Sequence, residues 1–351
     1  MAYNGCMDDV RRCVRGEVPK QLPVFACSEE MDVRLSGYTY EQFATDAKIM
    51  AKVAIGAVKR FDYDWVWLQI DDCIIMEQLG VGVRGSGNIL RATCEYLPPS
   101  RETLSHLPRP NVKKDGRCKV LLDAIKACKD EFGDDVCVVG RTEGPFSSVG
   151  LLYGLSQTML LTFDDPQFIK DTEEFFVDLQ TEFGLAQIEA GADAIWFGDC
   201  NAATNLMSVR TYRELASEPA KRCAQAYQKA GGLTFMHDSE ETVEGLKAQA
   251  ETGCSALSIG PGGNMVEARK AMPNQCLLGN VNPILTLERG KPADVERAVK
   301  ELISTVSIHG GHIMNSGEMV PRDTPEENMR TMIRATREYW GEIASALRAS
   351  Q

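Results

Sequence analysis

The sequence GGHIMNSGEMVPRDTPEENM, residues 310–329, contains a short apolar run, a polar loop and the start of a helix. The apolar run at residues 312–314 predicts a buried strand. The loop carries Glu318, and Pro325 followed by Glu326 opens an amphipathic run, which is typical of a helix start. This stretch therefore predicts a strand, a loop with a candidate site carboxylate, and a helix.

The same unit recurs along the chain. Apolar runs that predict strands occupy residues 23–27, 65–70, 136–139, 194–197, 233–236, 256–259, 276–278 and 312–314. Amphipathic patterns that predict helices occupy residues 40–59, 120–131, 165–190, 209–230, 243–251, 265–272 and 293–306. Strands that alternate with helices predict a parallel sheet covered by helices. About eight such units predict an α/β protein with a (β/α)8 TIM barrel.

The alternative fold is a doubly wound open sheet. Its phosphate-binding glycine fingerprint should follow a strand directly, and no predicted strand is followed by one. The glycine-rich sequence LGVGVRGSG at residues 79–87 lies away from any strand-to-helix junction, so it is predicted to be an ordinary loop.

The chain is expected to consist of two parts. Residues 1–22 form an N-terminal helical extension, predicted to serve as a lid or as an oligomer contact in a possible homodimer. Residues 23–351 form the barrel as one domain. Residues 97–114 contain several prolines and predict a long loop rather than a domain linker.

Composition limits the class of protein. Apolar residues make up 44% of the chain, and no apolar run is long enough to cross a bilayer. A formal net charge of −12 disfavours nucleic acid as a partner. Charged residues interrupt the N-terminal stretch, so no signal peptide is expected. The 12 cysteines show no CxxC spacing, which argues against a disulfide framework and favours a reducing cytoplasm.

In a barrel of this type the active site lies at the carboxyl ends of the strands. The residues just past the predicted strands are polar: Ser28, Glu29, Glu30, Asp71, Asp72, Cys73, Arg141, Thr142, Glu143, Asp199, Cys200, Asn201, His237, Asp238, Ser239, Asn280, Asn282 and Asn315 to Glu318. A single aspartate after a strand more often caps a helix or closes a turn. His237 is the strongest candidate among four histidines, although a hydrogen-bonded core histidine is the competing interpretation.

Several blocks together resemble the uroporphyrinogen decarboxylase superfamily. They are GNVNP at residues 279–283, NSG at 315–317, DTPEENM at 323–329, EGPF at 143–146 and the strand that ends in His237. The resemblance spans nearly the whole chain and implies the same barrel. It leaves two main chemistries, porphyrinogen decarboxylation and corrinoid-dependent methyl transfer.

The decarboxylase chemistry is disfavoured by the first strand end. True decarboxylases carry an Arg-Gln-Ala-Gly-Arg motif there, whose guanidinium groups hold substrate carboxylates. This chain reads VFACSEEM at residues 24–31. Glu29 and Glu30 would repel an octa-anionic porphyrinogen.

The methyltransferase branch, typified by methylcobamide:coenzyme M methyltransferases, has a zinc site built from His-x-Cys and a later Cys. His237 falls on the family histidine, whereas Ser239 and Glu318 stand where the two cysteines would be. Thiolates suit activation of a thiol substrate, whereas carboxylate and imidazole ligands leave zinc a harder Lewis acid. The departure therefore disfavours a thiol acceptor.

The resemblance then implies a first-step methyltransferase of an O-demethylase system. Such an enzyme removes a methyl group from a methoxylated aromatic small-molecule donor and passes it to the cobalamin of a corrinoid protein. Zinc would be bound by His237 and Glu318, with Cys200 or Asp199 as the third ligand.

The remaining candidate residues are assigned by their position near strand ends. Glu143, Asp199 and Asp72 are the candidate catalytic residues, and Glu29, Phe146, Tyr153 and Trp196 the candidate substrate-binding residues. Core packing is an equally good explanation for the aromatic side chains. Three alternative functions stay open: transfer from a methylcobamide to another acceptor, a decarboxylase-like reaction, and a barrel that binds a small molecule without chemistry.

Overall fold

The computed structural model describes residues 5–68 and 71–349. Its strands are β1 Val24–Phe25, β2 Trp65–Trp67, β3 Gly82–Arg84, β4 Ala92–Glu95, β5 Cys137–Glu143, β6 Ala194–Gly198, β7 Leu233–His237, β8 Ala256–Ser258, β9 Cys276–Asn280 and β10 His312–Asn315. Its α-helices are α1 Cys6–Val14, α2 Glu29–Ser36, α3 Tyr40–Thr45, α4 Ala47–Phe61, α5 Arg101–Ser105, α6 Gly116–Phe132, α7 Pro145–Tyr153, α8 Leu155–Asp164, α9 Pro166–Glu189, α10 Val209–Leu215, α11 Ser217–Lys229, α12 Val243–Ala250, α13 Met265–Ala271, α14 Pro292–Thr305 and α15 Glu326–Ala349.

Eight of these strands form one parallel sheet in the order β1-β10-β9-β8-β7-β6-β5-β2. The two end strands meet through Asp64, which directly precedes β2. The Asp64 amide donates to the Val24 carbonyl at 3.1 Å, and the Asp64 carboxylate accepts from the Val24 amide at 2.7 Å. The sheet is therefore closed into a (β/α)8 barrel, and the predicted fold class is confirmed.

Large aromatic side chains fill the barrel interior. Phe25 stacks on Trp65 with ring centroids 4.7 Å apart, and Trp67 meets the edge of Trp196 at 5.6 Å. Phe235 adds a further ring against Phe25 at 6.0 Å. Because this layer is packed, chemistry is confined to the carboxyl ends of the strands above it.

Every predicted strand is found in the structure, but three other expectations are corrected. The helix predicted at residues 40–59 is split at Asp46, whose carboxylate accepts from two backbone amides of the next turn and so caps α4. The helix predicted at residues 209–230 is likewise two helices, α10 and α11. The glycine-rich segment at 79–87, predicted to be a loop, contains β3, which pairs with β4 in a small antiparallel hairpin.

In the described part of the N-terminal extension, residues 6–14 form α1, which lies away from the mouth of the barrel. In α1 the Cys6 thiol donates to the Asp64 carbonyl at 3.3 Å, and the Met7 amide donates to the Asp134 carbonyl at 3.3 Å. Asp64 and Asp134 both precede strands, so α1 packs against their amino ends. The described part of the extension therefore does not form the predicted lid, and an oligomer contact by the extension stays a prediction.

Three parts of the predictions fall outside the described residues. They are residues 1–4 of the extension, residues 69–70 at the end of the second predicted strand and residues 350–351 of the barrel domain. Among the helices of the described ranges, none combines the length and apolar character needed to cross a membrane.

One packing contact in the helix layer gives a stability prediction. Gly184 of α9 faces Tyr227 of α11, and a Cβ atom at Gly184 would lie 2.2 Å from the Tyr227 ring. Gly184→Ala is therefore expected to lower the free energy of unfolding by about 1–3 kcal/mol, measured by denaturant unfolding. Gly341→Ala is the matched control, because open space surrounds that exposed position of α15. It should raise the same free energy by about 0.4–1 kcal/mol, and equal effects of the two changes would contradict this packing.

Candidate functional site

His237 is the last residue of β7, and its ring is held by the neighbouring strand. Ser258 lies opposite His237 in the register of β7 and β8. The Ser258 hydroxyl is 3.0 Å from His237 Nδ1. This contact fixes the ring so that Nε2 faces Glu318, whose Oε2 atom is 3.3 Å away.

Glu318 lies in the loop that follows β10, and this loop is fastened to the end of β1. The Cys27 amide donates to the Ser316 hydroxyl at 3.2 Å, and the Val320 amide donates to the Cys27 carbonyl at 2.7 Å. Gly317 has a φ of 72°, a conformation that favours glycine. The loop therefore turns sharply and carries the Glu318 carboxylate toward His237.

Ser239 completes a triangle of polar atoms with His237 and Glu318. Its backbone has a positive φ of 52°, which is uncommon for a residue other than glycine. The Ser239 hydroxyl donates to Glu318 Oε2 and lies 3.4 Å from His237 Nε2. The three positions at which the resemblance places the zinc ligands thus meet at one point.

The charges of this group are strongly coupled. Burial opposes ionisation of Glu318, but His237, the Ser239 hydroxyl and the Met319 amide lower its pKa to about 2. Burial favours neutral His237, but Glu318 and the nearby Cys200 raise its pKa well above the usual value. Without a metal, the two side chains therefore form an imidazolium–carboxylate pair.

Cys200 and Trp196 adjoin this pair. The Cys200 thiol donates to the carbonyl oxygen of His237 at 3.7 Å. Loss of solvent around the sulfur raises the thiol pKa, although the residue keeps exposed surface at the mouth, and His237 acts in the opposite direction. The Trp196 ring lies 4.9 Å from the His237 ring, so it forms an apolar wall beside the imidazole.

The candidate catalytic carboxylates lie in a separate network beside the mouth. Arg141 of β5 pairs with Asp72 at 2.6 Å and with Glu143 at 2.9 Å. Glu143 is buried, whereas about half of the Asp72 side chain is exposed. Asp199 is fully buried and accepts a bond from the Ser147 amide at 2.7 Å, so it is turned away from His237.

The structure separates the other candidates from the group around His237. Phe146 is fully buried in α7, and Tyr153 stacks on Phe168 at 5.5 Å in the helix layer. Of the aromatic candidates, Trp196 alone is placed beside His237. Glu29 is buried at the end of β1, with neither carboxylate oxygen exposed.

His237 and Glu318 fit two neighbouring corners of a tetrahedral zinc site. With zinc bonds of about 2.0–2.1 Å, neighbouring ligand atoms are roughly 3.3 Å apart, which matches the 3.3 Å between Nε2 and Oε2. In the described part of the chain, no three His, Cys, Asp or Glu side chains are already arranged around one metal position. A third ligand would therefore have to turn toward the metal, and Cys200, whose thiol lies 3.7 Å from the His237 carbonyl oxygen, is the candidate. Binding would displace the proton of the pair, so metal uptake should release acid.

Sequence reasoning missed Ser258, and it named Arg141 only as a polar residue after a strand, without a role. Ser258 lies within a predicted strand and pairs with His237 in the register of β7 and β8, which was the available signal. Arg141 and the buried Arg117, which binds Asp71 through two contacts of 2.8 Å, have no motif that marks them. Their partners come from strands and helices far apart in sequence.

The contact between Ser258 and His237 can be tested by its effect on zinc affinity. Ser258→Ala removes the contact to His237 Nδ1 without filling the space with a larger side chain. Loss of such a contact behind a metal-binding histidine typically costs 10- to 100-fold in metal affinity, and we expect about that loss here. Ser255→Ala is the control, because Ser255 bonds to Thr234 at the other end of these strands. Equal zinc affinities of the two variants in competition titrations would contradict this role of Ser258.

Comparisons with known proteins agree with this geometry. The family model described as uroporphyrinogen decarboxylase (URO-D) matches residues 7–339. The methylcobamide:CoM methyltransferase MtbA of Methanosarcina mazei is 26% identical over 313 residues, which cover 89% of this chain and 90% of that protein. A uroporphyrinogen decarboxylase of Chlorobium phaeovibrioides is 25% identical and covers 83% of this chain and 84% of its own.

A comparison with solved structures gives the same result. The solved structure of a methyltransferase from Methanosarcina mazei matches with a TM-score of 0.86 at 22% identity, over 95% of this chain and 99% of that chain. At 22% identity the match supports the fold alone. The predicted resemblance to the superfamily and to its methyltransferase branch is confirmed.

Proposed function

The chain belongs to the uroporphyrinogen decarboxylase family, and we propose that it is a corrinoid-dependent methyltransferase acting on a methoxylated, aromatic compound. It removes the methyl group and passes it to the cob(I)alamin of a separate corrinoid protein. The methyltransferase relatives support methyl transfer as the reaction type. The choice of a methoxylated substrate is inferred from the residues of the site itself.

The observation that carries this proposal is the polar triangle of His237, Ser239 and Glu318. It holds one imidazole, one hydroxyl and one carboxylate, with His237 Nε2 and Glu318 Oε2 3.3 Å apart. A metal bound mainly through oxygen and nitrogen atoms would prefer a hard substrate atom, such as oxygen, to a thiol sulfur. An ether oxygen is such a hard atom, and it has to leave with an electron pair when the methyl group is removed.

His237 and Glu318 would hold zinc, with Cys200 as the third ligand. When bound, zinc polarises the ether oxygen as a Lewis acid, and the reduced corrinoid of the partner supplies the nucleophile. Ser258 keeps His237 Nε2 pointed at the site, and Ser239 donates to Glu318. The buried Trp196 ring packs against His237 and excludes water on that side of the imidazole.

The Arg141 network would bind the part of the substrate away from the methyl group. Arg141 pairs with Asp72, and half of the Asp72 side chain is open to solvent. A substrate hydroxyl can donate to this carboxylate without breaking the buried pair of Arg141 and Glu143. Asp199, which bonds to Ser147, positions α7 rather than the reacting atoms.

The proposal is tested by methyl-donor screening. Zinc-loaded protein is mixed with a reduced corrinoid protein and a panel of methoxylated aromatic compounds, and the loss of the cob(I)alamin absorbance is followed. We expect methylation of the corrinoid with at least one methoxyarene, and none with the demethylated phenol. Complete inactivity across methoxylated donors would contradict the proposed substrate class.

Transfer from a methylcobamide to an acceptor is the second candidate function. It is favoured by the names of several relatives, which are methylcobamide:CoM methyltransferases. The replacement of both family cysteines weighs against it. Demethylation of methylcobalamin by a simple thiol, measured beside the ether assay, separates the two functions.

A further inference from the structure

Exposed apolar side chains are concentrated at the carboxyl end of the barrel. Of the eight large apolar side chains that are exposed among the described residues, seven lie in connections that leave the carboxyl ends of strands. The eighth, Val18, lies between α1 and β1 at the opposite end. Single exposed apolar residues are ordinary, but a one-sided set of them marks a binding surface. The seven residues form an apolar rim: Ile89, Tyr96, Leu160, Phe163, Leu206, Ile284 and Leu285.

The helix α8 carries the most exposed part of this rim. Its sequence LSQTMLLTFD contains five large apolar residues, yet Thr158 is its one buried residue. Leu160 and Phe163, about one turn apart, are 58% and 84% exposed. A helix of this composition normally packs its apolar side chains against a core. The outer face of α8 is therefore apolar and uncovered in the described part of the chain.

The position of α8 follows from the length of α9. Gln187 of α9 donates to the Arg141 carbonyl at 2.8 Å, and Gln180, about two turns earlier, donates to Glu143 at 3.0 Å. Because Glu143 ends β5, α9 runs antiparallel to this strand and reaches the level of its carboxyl end at Gln180. The preceding part of α9, residues 166–179, extends about 20 Å farther. α8 directly precedes this part, so it projects beyond the strand ends.

The connections that carry the rim after β5, β6 and β9 also lack charge. Residues 155–163, 200–209 and 281–287 contain no Asp, Glu, Lys or Arg, although 25% of the residues in the chain are charged. Depletion of charged residues is typical of the buried centre of a protein–protein interface. Both exposure and composition therefore indicate a surface that another protein covers.

The apolar rim lies on both sides of His237. In the sheet, β7 ends in His237 and lies between β6 and β8. Leu206 and α8 follow β6 and β5 on one side, whereas Ile284 and Leu285 follow β9 on the other side. A small methyl donor held at His237 is too short to cover both sides together with the projecting α8. The rim therefore requires a macromolecule that spans the mouth of the barrel.

The corrinoid protein is the macromolecule that the reaction brings to this place. Cobalt has to come within bonding distance of the methyl carbon at the mouth, so the protein that carries it has to cover the carboxyl end of the barrel. A second copy of this chain on the rim would block that approach. The net charge of −12 disfavours an anionic membrane surface.

Resting on the proposed function, we propose that the apolar rim is the docking surface for the corrinoid protein, with α8 as the main contact. The complementary surface of the partner is apolar and borders its cobalamin. Docking by α8 is separate from the chemistry at His237, because Leu160 and Phe163 lie on the projecting helix. The two steps can therefore be changed independently.

The kinetic test compares the α8 variant, Leu160→Ser with Phe163→Ser, with the control Val18→Ser. Methyl transfer is measured to the corrinoid protein of the donor assay and to free cob(I)alamin. Truncation of central apolar contacts typically weakens association strongly, and we expect the α8 variant to raise the KM for the corrinoid protein about 10- to 100-fold. The rate with free cob(I)alamin should stay at the wild-type value. Val18→Ser should match the wild type in both assays.

Two outcomes of this test would overturn the docking surface. One is an unchanged KM for the corrinoid protein in the α8 variant. The other is an equal loss of rate with free cob(I)alamin, which would show that α8 acts on the reaction site. Leu285→Ser, on the other side of His237, is the second variant, and it should also raise the KM for the corrinoid protein alone.

Binding of the corrinoid protein without a methyl donor, measured by calorimetry, separates docking from catalysis. The wild type and Val18→Ser should bind it equally, and the α8 variant about 10- to 100-fold more weakly. This pattern without any methyl transfer would contradict the proposed function and leave the docking surface intact. Methyl transfer with equal binding by all variants would do the reverse.

Two further measurements test the other occupants of the rim. Sedimentation of the free protein detects a dimer, and flotation with phosphatidylcholine–phosphatidylserine vesicles detects membrane binding. We expect neither to differ between the wild type and the α8 variant. A dimer or a vesicle-bound form that the α8 variant loses would assign the rim to that occupant and overturn the proposal.

Discussion

His237→Ala and Glu318→Gln are each expected to remove zinc binding and methyl transfer together. The two side chains supply the convergent donor atoms of the polar triangle, 3.3 Å apart. Loss of a contact behind a ligand costs 10- to 100-fold in metal affinity, and loss of the ligand itself should cost at least about that much. Zinc content after dialysis and the single-turnover rate of corrinoid methylation measure the two effects.

Folding should survive both changes, because these residues lie at strand ends above the packed aromatic layer. His309→Ala is a suitable control, since His309 precedes β10 at the opposite end of the barrel. Glu241→Gln controls for loss of an exposed strand-end carboxylate, which here accepts from the Gly262 amide. Full zinc occupancy and unchanged turnover in both His237→Ala and Glu318→Gln would place the metal site elsewhere.

Asp64→Ala is expected to lower the free energy of unfolding by about 3–5 kcal/mol. Asp64 is fully buried at the seam, 2.6 Å from Arg337 Nη2, and accepts from the Val24 amide. Burial raises the Asp64 pKa to about 6 against the pull of Arg337, so the ion pair itself adds little. The expected loss comes instead from leaving Arg337 without its carboxylate at the point where the barrel closes.

Denaturant unfolding of a small set of variants checks this explanation. The double change Asp64→Leu with Arg337→Met should recover part of the loss, because both charges of this pair are then removed together. Asp130→Asn breaks an exposed pair with Lys126 and should change the free energy by less than about 0.5 kcal/mol. An Asp64→Ala variant as stable as Asp130→Asn would show that Asp64 is not needed for closure.

Much of the fold could be predicted because the strands are buried on both faces. Such strands appear as short continuous apolar runs, and all eight were found at their predicted places. Helix boundaries were harder, because a cap such as Asp46 can end one helix and start the next without interrupting the amphipathic pattern. The β3–β4 hairpin escaped prediction because its strands are short and none of their residues is buried, and β3 contains a glycine.

The candidate site could be predicted only in part. Strand-end position predicted that His237 and Glu318 would lie close together, because the carboxyl ends of parallel strands meet at one edge, and their side chains are 3.3 Å apart. It could not tell which side chains turn inward. Phe146 and Tyr153 follow β5 closely, yet α7 carries both rings into the helix layer. The way in which β1 and β2 meet through Asp64 is likewise not visible in any local sequence pattern.

The most direct test follows an isotopically labelled methyl group. A methoxyarene labelled in its methyl carbon is incubated with the zinc-loaded protein and a reduced corrinoid protein, and both products are analysed by mass spectrometry. The prediction is labelled methylcobalamin and free phenol in equal amounts, with neither formed by His237→Ala. Transfer of methyl groups from methylcobalamin to a thiol, with the methoxyarene left intact, would contradict demethylation by this protein.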